Sequence, residues 1–446
     1  MSTLPRDDAR APTAALAHEA RRSRALGALG ADALLVFGAP HHSRNGDAEY
    51  RYRQSSDLWY LSGWEDPESA ALLRPGSDHP FILFVQPKDR SREAWTGFRE
   101  GLEGARARFG ADAAFPYAEL SARLPELLAG WTTLHYAWGE DGTRDSTVFR
   151  AVSGLGRVAA RNGLATPHHL IDARRILGEL RLKKDADEVA LLRRAADITA
   201  EAHVAAMRLG RPGVAEYEVE AEIDGLFRRR GGNGPGYTTI VGGGTNACVL
   251  HYITNREPLR AGDLCLVDAG CEYANYTADV TRTWPVSGRF SGPQRRLYEI
   301  VLASQIAAID AVRAGRPYKA MHDAAVRVLT EGMVDVGLLD GDVETLILEE
   351  GYRRYYMHGT GHWLGLDVHD AGAYHVGGSS RPLEPGMVVT VEPGLYIPPD
   401  DLRAPEAFRG IGIRIEDDIL VTDGDPDVLT AACPKSVADV EAACTG

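Results

Sequence analysis

The chain has 446 residues, more than one hydrophobic core usually supports, so two domains are expected. Hydrophobic residues make up 44% and charged residues 25%, as in an ordinary water-soluble protein. A formal net charge of −14, from 49 basic and 63 acidic side chains, argues against nucleic acid or an anionic membrane as the main partner.

No window supplies the roughly 18 apolar residues of a membrane span, and the N-terminal stretch lacks the apolar run of a signal peptide. The five cysteines (Cys248, Cys265, Cys271, Cys433, Cys444) are odd in number and contain no C-x-x-C pair, which suits a reducing compartment. A cytoplasmic protein is the expectation.

In chain order, Ala33–Phe37 (ALLVF) and Phe81–Val85 (FILFV) read as buried strands bounded by Gly, Pro and Asp. A leucine-rich helical pattern runs from Pro116 to Trp131. The pattern breaks around Gly163–His169, which places a domain boundary between about Ala165 and Arg175. Residues 1–172 are therefore expected to form a smaller α/β domain and residues 173–446 a larger one.

After Lys184 a long helix is predicted, capped by Asp185 or Asp187 and ended by RLGRP (Arg208–Pro212). The next helix, from about Val214 to Arg230, opens with Glu216, Glu218, Glu220 and Glu222 and closes on Arg228–Arg230, a polarity that suits the helix dipole. A second block repeats the plan: a helix from Gln294 to Ala314, then RAGRP (Arg313–Pro317), then a helix from Lys319. RLGRP and RAGRP lie 105 residues apart. Two matching pieces suggest an internal duplication or a coincidence. If the duplication is real, a site between the two halves is expected.

Leu264–Cys271 (LCLVDAGC) is a strand pattern that carries Asp268 inside an apolar run. An unpaired buried carboxylate is costly and calls for a cation or strong donors. Gly270 to Asn275 can form the turn of a hairpin that leads to Tyr276–Trp284 (YTADVTRTW), which alternates so that Thr277, Asp279, Thr281 and Thr283 share a face. The spacing can set Asp268 and Asp279 on adjacent strands, although two unrelated acids explain the pattern about as well. Farther on, MHGTGHWLGLDVHD carries His358, His362 and His369, PGMVVTVEPG carries Glu392, and GIGIRIEDDILV places Arg414 and Glu416 on one face. Taken singly, each of these reads more readily as a core histidine or a salt-bridged glutamate.

Together they read as a metal site. Asp268, Asp279, His362, Glu392 and Glu416 make a hard, oxygen-rich donor set, which favours Mn²⁺, with Co²⁺ or Fe²⁺ as substitutes, over Zn²⁺. Four carboxylates carry more charge than one divalent ion neutralises, so two ions are expected. Rival motifs are weak. GLGRVA (Gly154–Ala159) has no clear strand before it, GGGTNA (Gly242–Ala247) sits between strand patterns, and no Walker A lysine or G-x-S-x-G elbow is present.

The segments DAGCEYANYTADVTRTWP, HGTGHWLGLDVHD, LEPGMVVTVEPGLY and GIGIRIEDD closely resemble the proline-specific aminopeptidases (aminopeptidase P) of the pita-bread metallopeptidases. DAEYRYRQSSDLWYLSGW (Asp47–Trp64) extends the likeness into the N-terminal part, which methionine aminopeptidases lack. The resemblance implies an α+β protein: a pita-bread catalytic domain of two similar halves, preceded by a smaller α/β domain. It assigns Asp279 and Glu416 as bridging carboxylates, Asp268 to one metal, and His362 and Glu392 to the other. Glu392 would also handle the proton of a bridging hydroxide.

By the same resemblance, His251 and His369 face the substrate and bind the scissile carbonyl. His358, Arg414 and Tyr237 support and orient the metal ligands, and Tyr237 also binds substrate. Trp95 and Arg161 would reach a neighbouring subunit's site, which implies a homo-oligomer, a dimer or tetramer. The implied reaction releases the first residue from peptides with an N-terminal Xaa-Pro. A prolidase restricted to Xaa-Pro dipeptides, a creatinase-like enzyme and a metal-free binding module are the rival readings.

Overall fold

The computed structural model describes residues 11–445, which divide into two compact units, one up to Arg181 and one from Leu182 onward. No described helix is long and apolar enough to cross a membrane.

The N-terminal unit is built on a six-stranded mixed sheet. Its strands run in the spatial order Ala113–Pro116, Phe81–Val85, Ala70–Leu73, Ala33–Phe37, Thr133–Tyr136, His169–Ile171. Ala70–Leu73 is antiparallel to both neighbours, whereas the outer pairs are parallel. ALLVF, AALL and FILFV are buried at every position, as unbroken apolar runs must be when helices cover both faces of a sheet. One covering layer includes Leu120–Leu128 and Gly142–Asn162, whose Leu124, Leu128, Val148 and Leu155 pack onto the sheet. GLGRVA lies inside the second of these helices, so its glycines form no phosphate loop.

The second unit repeats one plan twice. Ala186–Leu209 starts at a capping box in which Asp185 Oδ1 accepts from Glu188 N and Glu188 Oε2 accepts from Asp185 N. Its partner is Glu216–Arg229. In the second half, Gly292–Ala311 starts at a Ser291–Gln294 capping box and pairs with Lys319–Asp335. The turns between the helices are closed alike. Gly213 N donates to Leu259 O and Leu259 N to Val214 O; Gly315 N donates to Leu383 O and Leu383 N to Arg316 O, each at 2.8 Å.

The two halves therefore correspond through Gly213 and Gly315, both with positive φ, and not through the arginine-glycine-proline pieces. The glycine of RLGRP is Gly210, which caps a helix end, whereas that of RAGRP is Gly315, a turn residue. The duplication holds, with a shift of 102 residues where the motif match implies 105.

Each helix pair is followed by short antiparallel sheets. Leu264–Asp268 lies between Ile240–Gly243 and Thr281–Pro285, and Asp417–Leu420 lies between Val388–Val391 and Asp427–Val428. Gly394–Tyr396 pairs with Gly412–Arg414. The expected continuous strands are interrupted where the acids sit. Tyr276–Thr277 and Thr281–Pro285 are separate, as are Gly412–Arg414 and Asp417–Leu420, and Pro393 divides Val388–Val391 from Gly394–Tyr396. The physical reason is close backbone contact. Ala269 N bonds Val280 O and Ala278 N bonds Cys271 O, and a Cβ on Gly270 would lie 1.7 Å from Ala278 O. The hairpin turn is tighter than Gly270–Asn275. It consists of Ala274 and Asn275, both at positive φ, between the paired residues Tyr273 and Tyr276.

Candidate metal centre

The strand interruptions bring the acids together. Asp268 ends its strand opposite Thr281, two residues after Asp279. Glu416 N donates to Thr281 O, which carries Glu416 across from the second half. His362 and Glu392 are set by the neighbouring strand: Thr390 N bonds His362 O, and Glu392 N bonds Thr360 O. One donor atom each from Asp279, His362 and Glu416 lie within 4.8 Å of one another. His362 Nε2 is 3.3 Å from Asp279 Oδ2 and 3.7 Å from Glu392 Oε1. All five acid and imidazole groups line one cavity of about 470 Å³, together with Tyr237, His251, His358, His369 and Arg414.

The imidazole of His362 is oriented for a ligand. Its Nδ1 lies 3.0 Å from Trp363 O, so this nitrogen carries the proton and Nε2 faces the acids. Asp268 Oδ2 accepts from Arg414 Nη2 at 2.6 Å, and its Oδ1 accepts from the Tyr237 hydroxyl, also at 2.6 Å; the same hydroxyl is bonded to Asp279 Oδ1. Arg414 Nε reaches Thr281 Oγ1, whose hydrogen goes to Glu416 Oε2 at 2.6 Å. Tyr396, which the sequence reading passed over, receives Arg414 Nη1 and lies 2.9 Å from His358 Nε2. Asp268, Asp279, His362 and Glu416 are thus each held from behind by a hydrogen bond, as metal ligands generally are.

The electrostatics test whether cations fit. Burial pushes the Asp279 and Glu416 carboxyls up, and the neighbouring acids push them further. Burial raises Glu392 to about 7 against the opposing charges of His362 and Arg414. Burial would lower His362, but hydrogen bonding and charge from Asp279 outweigh it and raise the ring to about 9. Acids packed this closely stay ionised together only with positive charge among them, and oxygen donors with one imidazole nitrogen suit hard divalent ions. The residues fit a metal pair.

His358, pushed down to about 4 by burial and by Arg414, is neutral at physiological pH. His251 and His369 are exposed on the cavity rim, and His369 packs edge-on to His362 with ring centroids 4.3 Å apart. Trp95 and Arg161 belong to the N-terminal unit, on Arg90–Thr96 and Gly142–Asn162, and both face solvent, Trp95 at 90% exposure.

The structure adds groups that periodicity did not single out. Asp418 is buried, and its Oδ2 accepts from Asp279 N at 3.1 Å. Arg282 and Asp417 form a fully buried pair beside Glu416. The acidic run in IEDD was the available signal for both aspartates. Glu216 sits in the first turn of its helix, as the sequence polarity predicts, but it is completely buried and its carboxylate accepts hydrogen bonds.

Residues 190–423 match the profile of metallopeptidase family M24, and residues 18–135 match that of the aminopeptidase P N-terminal domain. The Xaa-Pro aminopeptidase of Escherichia coli (strain K12) is 45% identical over 92% of this chain and 93% of its own. That of Haemophilus influenzae is 42% identical over 99% and 98%. Among solved structures, Pseudomonas aeruginosa aminopeptidase PepP superposes with a TM-score of 0.94 at 42% identity, covering 100% of this chain and 99% of its own. A zinc-substituted Escherichia coli aminopeptidase P in complex with product gives 0.92 at 43%, over 97% and 98%. With the catalytic profile, the N-terminal profile and the full-length relatives in agreement, this chain belongs to metallopeptidase family M24.

Proposed function

We propose that the protein is a metal-dependent aminopeptidase that releases the N-terminal residue from peptides with proline in second position. The observation that carries this reading is the single cavity in which the Asp279, His362 and Glu416 donors converge with Asp268 and Glu392. The Xaa-Pro specificity is supported by the relatives' names and by the N-terminal domain shared with aminopeptidase P.

Asp279 and Glu416 would bridge the two ions, Asp268 would complete one, and His362 and Glu392 the other. When bound, the pair supplies Lewis acidity that polarises the scissile carbonyl and lowers the pKa of water. The chain's own residues do the rest. Glu392, which lines the cavity beside the other acids, would take a proton from water and return it to the leaving nitrogen. His251 and His369 on the rim donate to the carbonyl oxygen as negative charge develops there. The acidic floor attracts the substrate's free ammonium group, which restricts cleavage to the chain end. Proline's ring and missing N–H make the bond a poor target for ordinary peptidases, and a site shaped to the ring accounts for the specificity.

The oxygen-rich donor set supports Mn²⁺ as the metal, with Co²⁺ or Fe²⁺ as substitutes. Exposed Trp95 and Arg161 support a homo-oligomer in which one copy's N-terminal unit meets another copy's cavity. Incubation of Mn²⁺-loaded protein with Xaa-Pro and with Xaa-Pro-Yaa tests the function. Release of the first residue from the tripeptide, abolished by chelator, is expected. Turnover of the dipeptide alone would make the protein a prolidase.

A further inference from the structure

Glu216 is the first residue of the helix Glu216–Arg229 and has no exposed surface, yet among the described residues no cation pairs with it. Its carboxylate is instead filled by four donors. Oε1 accepts from Gly243 N at 2.8 Å and Asn246 Nδ2 at 2.9 Å. Oε2 accepts from the Tyr252 hydroxyl and from Glu257 N, both at 2.9 Å. All four partners belong to one segment, Gly243–Glu257, and Glu216 N returns a bond to Glu257 O.

This segment carries His251 over the metal cavity. Leu250 and Tyr252 pack against the cluster of Ile240, Leu266 and Tyr396, and the exposed His251 and Ile253 line the cavity together with Leu250. Burial and the Glu216 carboxylate push the Tyr252 phenol up to about 12, so it remains a donor at physiological pH. Tyr252 immediately follows His251, and its hydroxyl ties the crest of the segment to Glu216; Asn246 and Glu257 tie its two ends.

We propose that Glu216 is a positioning residue for His251, holding its backbone over the acidic cluster through the Tyr252 hydroxyl. The inference rests on the proposed peptidase reading, in which His251 meets the scissile carbonyl. A buried anion satisfied wholly by one loop is a strong local clamp, because each released donor would lose a charge-assisted bond. Such a clamp is reasonable where a functional side chain must be held still.

The test uses the full chain with Tyr252→Phe, which removes one hydroxyl, and Glu216→Gln, which sets an amide donor against two incoming donors. Each is made alone and with His251→Ala. Hydrogen exchange across residues 249–254, measured with and without Mn²⁺, reads the loop directly. Kinetics on an Xaa-Pro-Yaa peptide read the consequence.

Tyr252→Phe is expected to speed exchange in 249–254 about 10-fold and to lower kcat about 10-fold, with KM and metal content little changed. Added to His251→Ala, it should cause no further loss of kcat. Unchanged exchange in 249–254, or losses that multiply with that of His251→Ala, would overturn the proposal. If the wild-type protein cleaves no Xaa-Pro peptide, the peptidase reading falls, and the exchange measurement still decides whether Glu216 holds the loop. Should Glu216→Gln fail to fold, Tyr252→Phe decides alone.

Discussion

Arg282→Met should destabilise the catalytic unit by about 4 to 6 kcal/mol and loosen its metal centre. Arg282 and Asp417 side chains are both fully buried, and every guanidinium N–H is used. Nε donates to Pro434 O at 2.9 Å, Nη1 to Thr281 O at 3.0 Å and to Glu416 O, and Nη2 to Asp417 Oδ1 at 2.7 Å and Cys433 O at 3.0 Å. Burial alone would lower the Arg282 pKa, but Asp417 reverses the effect and keeps it charged.

Methionine fills similar volume and removes all five bonds. Asp417 keeps Thr430, Gln305 and Lys435, so it is not stranded as a lone buried charge. One charge-assisted bond at about 2 kcal/mol and four carbonyl bonds at about 0.5 to 1 kcal/mol each give about 4 to 6, at or slightly above the usual cost of breaking a buried pair. For a unit of this size that is a fall in Tm of about 8 to 24 °C. Differential scanning calorimetry with chelator present measures it, and titration calorimetry with Mn²⁺ measures the loss at Asp279 and Glu416, whose strands Arg282 joins. Arg282→Lys should fall between, having a charge but fewer donors. A Tm within about 2 °C of wild type for Arg282→Met would refute the reasoning.

Three further outcomes are expected. Asp279→Asn should abolish turnover while raising the Tm of chelator-treated protein, because burial and neighbouring acids disfavour the ionised carboxyl; an unchanged or lower Tm contradicts this. His203 is fully buried, 3.2 Å from Ala269 O, and burial lowers its pKa to about 4, below the unfolded value of about 6.5. The unfolded state therefore binds the proton first, and stability should fall by about 3 kcal/mol between about pH 6.5 and pH 4. Urea unfolding of His203→Gln should show that much less acid sensitivity, and equal slopes would exclude the mechanism. Gly270→Ala should cost about 3 kcal/mol or more, read as a drop in Tm, since its Cβ would meet Ala278 O at 1.7 Å.

Local features made much of this protein legible in sequence. Apolar runs such as ALLVF and FILFV are strands because a sheet covered on both faces buries every residue. Asp185 and Glu188 start a helix because a capping box needs only neighbouring residues. The acids of the metal centre stood out because carboxylates are costly in apolar strands.

Tertiary structure decided the rest. YTADVTRTW alternates like one strand, but contacts with Gly270 and Cys271 break it at Asp279. RLGRP and RAGRP look equivalent, yet the hydrogen bonds align Gly213 with Gly315. Glu216 has the ordinary sequence signature of an exposed first-turn glutamate. Only the return of Gly243–Glu257 over that helix buries it and turns a dipole charge into the clamp beside His251. Periodicity reports the face a residue occupies on its own element. Which distant backbone donors meet that face is set by chain return, and that is decided only when the two halves close around the site.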